Sequence, residues 1–138
     1  MDISRISKKQ IQVWLPLMDG VEVLCRHLAQ DEYDAILKQS VKTTFNPKTH
    51  LKQEERDEQR FNSLLARAVV LDWQGLDDAG QPFPCSPENI DYLMEKLTEF
   101  RLLVIGTPLS FERMLAAERA VTEKNLSTIS APSPITPA

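Results

Sequence analysis

The sequence has little cysteine, and it contains no long apolar run. Its two cysteines, Cys25 and Cys85, lie far apart among 138 residues, a pattern typical of free thiols rather than of a disulfide framework. No apolar stretch approaches the roughly 20 residues that a membrane-spanning helix needs. The first ten residues, MDISRISKKQ, also lack the apolar centre of a secretory signal. We therefore expect a cytoplasmic protein with no membrane partner.

The sequence also lacks an excess of positive charge. Its formal net charge is -4 and its sequence pI is about 5.2, whereas phosphate binding needs clustered lysine and arginine. We therefore expect no nucleic-acid partner. The hydrophobic fraction of 42% and the charged fraction of 26% are ordinary for one globular domain. The prediction is a single domain over residues 1–125, followed by a flexible tail rich in serine and proline over residues 126–138.

Motifs that carry chemistry are missing as well. There is no phosphate-binding glycine loop, no dinucleotide fingerprint and no HExxH zinc motif. Cys25, His27, His50 and Cys85 have metal-binding side chains, but they lack the close pairs of structural zinc sites. A thiol nucleophile at Cys85, with its pKa lowered by a helix N-terminus and with His50 or His27 as base, is the enzymatic alternative. We expect no catalytic residue, no metal and no cofactor.

Two runs of alternating apolar residues flank Asp19-Gly20 near the start of the chain. This pattern predicts a β-hairpin over about residues 11–26, since both turn residues tolerate positive φ. Pro16 cannot donate a hydrogen bond, so its strand should be an edge strand or carry a bulge. Because a lone hairpin is marginal in water, it should pack on helices or pair with another chain.

The rest of the chain is dominated by helical signals. Apolar spacing predicts helices over 29–43 and from about 51 to Trp73, the latter with solvated charged turns from Lys52 to Arg60. Further helices are predicted after Ser86-Pro87, over 99–105 and after Thr107-Pro108. The predicted fold is therefore α+β and mainly α, with an N-terminal β-hairpin packed on about four helices and a disordered C-terminal tail. Trp73 should be a buried anchor.

The segment from Val70 to Leu93 resembles tail assembly chaperones of long-tailed bacteriophages. The similar features are a Trp-x-Gly-Leu step, an acidic turn with glycine, a proline-containing stretch and a Ser-x-Glu-Asn helix start, after which a leucine-rich helix follows. These features correspond to Val70, Trp73, Gly75, Leu76, Asp78, Gly80, Pro82, Ser86, Glu88, Asn89 and Leu93. Residues 43–60 match no part of that pattern.

The resemblance implies a binding role and no reaction. Such chaperones keep the tape measure protein soluble while tail tube protein assembles around it, and they are absent from the mature virion. The implied partners are the tape measure protein, the tail tube protein and further copies of the chain. The alternatives are a structural adaptor of a phage tail or head, an unrelated helical regulator, and the cysteine-dependent enzyme.

A client helix would need an apolar surface on the chaperone. The last predicted helix carries apolar residues over more than one narrow stripe, so some of them should stay accessible. The expected partner-binding residues are Phe111, Met114, Leu115 and Val121.

Overall fold

The N-terminal hairpin forms as predicted and is completed by a distant third strand. The computed structural model describes residues 11–130, with side chains over 11–121. Strands β1 (Gln12–Met18) and β2 (Val21–Arg26) pair antiparallel around Asp19-Gly20. Strand β1 is an edge strand, and its register shifts between Pro16 and Met18, as the proline predicts.

The next helix is shorter than predicted, and a second hairpin follows it. Helix α1 spans Gln30–Gln39, and Ser40 ends it by donating its hydroxyl to the Ile36 carbonyl at 2.6 Å. Strands β3 (Val41–Asn46) and β4 (Leu51–Arg56) then form an antiparallel pair. The predicted helix over 29–43 and the predicted helical turns from Lys52 were therefore wrong at these positions. Branched and aromatic residues in β3 favour a strand, and β4 supplies its hydrogen-bonding partner.

Helix α2 (Glu58–Val69) also ends earlier than predicted. The side chain of Asp57 caps its start by accepting a hydrogen bond from Arg60 N at 3.2 Å. Trp73 lies in strand β5 (Val70–Gln74) rather than at the end of a helix. Strand β5 pairs antiparallel with β2, so the first sheet has the order β1-β2-β5. A third strand gives the N-terminal hairpin the support that two strands lack.

The turn before α3 and the start of that helix follow their local sequence signals. Short strands β6 (Asp77–Asp78) and β7 (Gln81–Pro82) flank the predicted turn. Helix α3 (Pro87–Lys96) starts at the predicted cap, where the Ser86 hydroxyl accepts from Asn89 N at 3.2 Å.

The last two helices are α4 (Thr98–Gly106) and α5 (Phe111–Ser130). Helix α5 begins at Phe111 rather than directly after Thr107-Pro108, and its backbone continues to Ser130. Of the predicted tail over 126–138, residues 131–138 lie outside the described residues.

The core lies between the three-stranded sheet and the helices. Helix α2 packs against α1, α3 and α4, while α5 packs against β1. Side chains from both layers are fully buried; among them are Val23, Cys25, Leu65, Val69, Phe100, Val104 and Met114. The described residues thus form a mixed α+β fold with five helices and several small antiparallel sheets. The predicted α+β class is confirmed, but the prediction of a mainly α fold with one hairpin and about four helices missed strands β3 to β7 and counted one helix too few.

Arg26 joins three elements of this core. Its Nε donates to the Ala68 carbonyl in α2 at 2.6 Å, and its two terminal nitrogens donate to the Glu32 carboxylate in α1 at 3.1 and 2.7 Å. The hydrogen bonds from Arg26 hold the pKa of Glu32 below its ordinary value, and they outweigh the opposing effect of burial. A bidentate pair of this kind is both strong and directional.

The lowered pKa of Glu32 predicts an acid-dependent part of the stability. Because the pKa is lower in the folded state, the stabilisation is fully present above the ordinary glutamate pKa and is lost as pH falls through the folded value. Glu32→Gln is therefore expected to lower the thermal midpoint at neutral pH and to have little effect in strong acid. Thermal unfolding followed by circular dichroism at several pH values measures this. Glu99→Gln, at an exposed site in α4, is the control; a Glu32→Gln effect that does not change with pH would contradict the argument.

Candidate partner-binding site

A row of four aromatic rings runs from the core to the surface beside α3. Trp73 is 6% exposed, and its ring stacks on Phe83 with centroids 5.8 Å apart and an interplanar angle of 10°. It also meets Phe100 edge-on at 6.0 Å. Phe83 in turn contacts Tyr92 at 6.3 Å, and Tyr92 is 54% exposed. The row therefore connects a fully buried ring to a half-exposed one.

The chain between β5 and α3 holds this row in place. The indole Nε1 of Trp73 donates to the Phe83 carbonyl at 2.6 Å, and Phe83 N donates to the Leu76 carbonyl at 2.8 Å. The Asn89 amide donates to the Pro84 carbonyl at 2.8 Å. The prolines have fixed φ, so they keep this segment extended. The segment that resembles the phage chaperones thus forms a well-bonded loop around Trp73.

An open groove lies beside the exposed end of the row. We call it the aromatic groove; its volume is about 510 Å³, and it is lined by Leu76, Asp77, Asp78, Phe83, Asn89, Tyr92 and Leu93. Four of these side chains are apolar or aromatic, and both aspartates are exposed. Such a combination suits an apolar anchor on a partner that also carries lysine or arginine.

A second cleft of about 700 Å³ lies between α2, α3 and α4 and is mainly polar. Its central carboxylate, Asp91, accepts hydrogen bonds from the Ser63 hydroxyl at 2.7 Å and from Arg67 Nη2 at 2.5 Å. Burial raises the pKa of Asp91, but the hydrogen bonds from Arg67 and Ser63 outweigh it and leave the pKa lowered. The carboxylate is thus already used to join α2 to α3.

The two thiols lie in surroundings that disfavour the thiolate. Burial raises the pKa of Cys25 to about 12, and burial together with the charge of Asp72 raises the pKa of Cys85 to about 11. The sequence-based alternative required a lowered pKa at Cys85, and the shift has the opposite sign. The dipole of α3 does not overcome partial burial beside a carboxylate.

The histidines take part in local contacts. The His27 ring packs edge-on against Phe111 at 5.3 Å, and burial lowers its pKa. His50 lies in the β3–β4 turn with φ of 57°. Within residues 11–121, no three histidine, cysteine, aspartate or glutamate side chains are grouped so that they could hold a metal ion.

The four partner-binding residues predicted on α5 differ in exposure. Met114 is fully buried and belongs to the core, so it offers no surface in this fold. Phe111 and Leu115 are half-buried against the core, and Val121 is 41% exposed. The inward direction of Met114 follows from the packing of α5 on β1. Only part of the predicted surface is therefore accessible, and Val121 is its most exposed member.

Among the exposed apolar side chains that sequence reasoning missed, three lie on α3 and α4. Tyr92 is on α3, whereas Leu102 and Ile105 are on α4 and are 64% and 37% exposed. A signal for each was present in the sequence. Tyr92 falls outside the apolar stripe of its own helix. Helix α4 contains the apolar run Leu102-Leu103-Val104-Ile105, and four consecutive helical residues cannot all lie on one buried face.

Among the described residues, no helix is both long enough and apolar enough to cross a membrane.

Comparison with known proteins places the chain in one family. The model of a family described as YdaY prophage protein matches residues 20–125, which is well over half of the chain. The match includes β2, the β3–β4 hairpin, the aromatic groove and most of α5. Searches of curated proteins and of solved structures returned no match. The chain belongs to the YdaY prophage protein family.

Proposed function

We propose that this prophage protein is a tail assembly chaperone without enzymatic activity, and that its aromatic groove binds a helical segment of the tape measure protein. The observation that carries the proposal is Tyr92, a half-exposed ring above a groove with an acidic edge. A prophage family and the resemblance of residues 70–93 to phage tail chaperones support it. The groove is built largely from that segment.

The groove has the features of a peptide-binding surface. Amphipathic helices bind in apolar grooves through a few large side chains that project from one face. Leu76, Phe83 and Leu93 provide apolar contacts, while Asp77 and Asp78 attract basic residues that flank the anchor. The hydrogen bond from Trp73 to Phe83 keeps the groove preformed, which reduces the ordering cost of binding.

The proposal also places the protein in the phage life cycle. It acts in the host cytoplasm, holds the tape measure protein soluble while tail tube protein polymerises around it, and leaves before the virion is complete. A structural adaptor of the tail or head would instead remain in the particle. Mass spectrometry of purified virions separates the two roles.

We expect Tyr92→Ser to release the client without unfolding the chaperone. The protein is co-expressed with the tape measure protein of the same prophage, and the soluble fraction of the client is measured. Tyr92 is 54% exposed, so its loss should change the thermal midpoint little while it removes a main contact of the groove. A several-fold decrease in soluble client is expected.

Val121→Ser is the matched control, because Val121 is also an exposed apolar side chain and lies on α5 outside the groove. This variant should keep the client soluble. The opposite result, with Val121→Ser releasing the client and Tyr92→Ser retaining it, would move the client site to the predicted α5 surface. If neither variant has an effect, the groove is not the client site.

A further inference from the structure

The β3–β4 hairpin projects from the domain with little support. Among the described residues, its two strands pair only with each other, and nearly every side chain on them is exposed. Val41, Phe45 and Leu51 are 44%, 60% and 64% exposed. Such a hairpin is marginal in water until a third strand or another surface packs on it.

Backbone and side-chain hydrogen bonds join the base of the hairpin to the rest of the domain. Asp57 N donates to the Ser40 carbonyl at 2.8 Å, and Arg60 Nε donates to the Gln39 carbonyl at 2.8 Å. These bonds fix the direction in which the hairpin leaves the domain. They leave the outer edge of β4 unpaired within the described chain. An unpaired edge is a template for another strand.

The charge pattern of β4 limits which strand could pair with its outer edge. Charges on an edge strand often prevent pairing, but β4 carries both signs, in the order Leu-Lys-Gln-Glu-Glu-Arg. When two identical strands pair antiparallel about a two-fold axis, the residue on the axis faces its own copy. A charged residue on the axis would therefore face a like charge, which is destabilising.

Only one internal position of β4 can lie on the two-fold axis without placing a charge opposite its own copy. Lys52, Glu54 and Glu55 are charged, and an axis at either end of the strand would leave almost no pairing, so Gln53 remains. With the axis at Gln53, Lys52 of each copy lies opposite Glu54 of the other. Leu51 then faces Glu55, whose charge is already opposite Lys42 within its own hairpin.

We propose that β4 is a self-complementary edge, and that two copies of this chain join through antiparallel β4–β4 pairing centred on Gln53. The result is a continuous four-stranded sheet in the order β3-β4-β4-β3, which supplies the neighbour that each hairpin lacks. Two Lys52–Glu54 pairs between the copies set the register. The proposal is independent of the aromatic groove and of the chaperone role.

Charge reversal tests the register directly. Lys52→Glu places two carboxylates opposite each other in both pairs, and Glu54→Lys places two ammonium groups opposite each other, so each single variant should weaken the dimer by roughly tenfold or more. Mixing the two variants restores opposite charges in both pairs, and a heterodimer should form. The double variant, Lys52→Glu with Glu54→Lys, should dimerise like the wild type. Sedimentation velocity measures each of these equilibria.

Lys48→Glu is the control, since it makes the same charge change in the β3–β4 turn, outside strand β4. It should leave the dimer intact. Circular dichroism should show an unchanged domain in all variants, because the altered side chains are exposed. A wild type that stays monomeric up to roughly 1 mM overturns the proposal. A dimer that survives Lys52→Glu, or single variants that fail to pair on mixing, also overturns it.

Discussion

Trp73→Ala is expected to lower the free energy of unfolding by about 3–5 kcal/mol, as large-to-small changes at buried aromatic residues do. The indole is 6% exposed and lies between Phe83 and Phe100. Its removal leaves a cavity and also leaves the Phe83 carbonyl without its donor. The cavity and the unpaired carbonyl both weaken the packing of β5 against the following loop and α4. Denaturant unfolding followed by circular dichroism measures the loss.

Two further variants separate the causes of this effect. Trp73→Phe keeps an aromatic ring but removes the Nε1 donor. It should therefore lower the free energy of unfolding by less than Trp73→Ala does. Trp14→Ala removes a half-buried tryptophan from the same sheet, where Trp14 pairs with Leu24. If Trp73→Ala were no more destabilising than Trp14→Ala, Trp73 would not be the anchor of the loop.

Gly75→Ala is expected to destabilise the fold by about 3 kcal/mol or more, since backbone strain and overpacking add at this position. Gly75 has φ of +86°, and a Cβ placed there would collide with the backbone carbonyl of Gly20. This carbonyl belongs to the β1–β2 turn, so the collision separates β5 from the turn that it packs against. Thermal unfolding measures the change.

Gly80→Ala is the matched control for Gly75→Ala. Gly80 has φ of +84°, close to the value at Gly75, but a Cβ there meets nothing within 4 Å. Gly80→Ala should therefore lower the free energy of unfolding only by the cost of backbone strain, about 1–2 kcal/mol. Equal losses in the two variants would show that close packing against Gly20 contributes nothing.

The parts of the fold that were predicted correctly depend on neighbours in sequence. Asp19-Gly20 made the first hairpin recognisable, because a tight turn depends on the φ of its own two residues. Ser86-Pro87 marked the start of α3, because a capping side chain reaches a backbone N–H only three residues away. The burial of Trp73 was also predicted and is confirmed, although the element that carries it was not.

The candidate site was predictable only in part. The segment that forms the groove was singled out by its resemblance, yet the expected client residues were placed on α5. Met114 illustrates the reason, since it has the adaptable side chain of a binding surface but is fully buried by the packing of α5 on β1. For Tyr92, the sequence indicated exposure through its position outside the apolar stripe of α3, but its contact with Phe83 at the groove depends on the tertiary packing.

The sequence by itself determined the Asp19-Gly20 turn, the Ser86 cap of α3, the apolar stripe of α2 and the mixed α+β class. Only the tertiary structure decided that residues 70–74 form a strand, since β5 exists through its pairing with β2, nearly fifty residues earlier in the chain. The tertiary structure also decided that Lys52 lies in a strand, because the charged segment Leu51–Arg56 is held extended by its hydrogen bonds to β3. Helix signals are local because their hydrogen bonds span four residues, whereas a strand depends on a partner whose position the fold must supply.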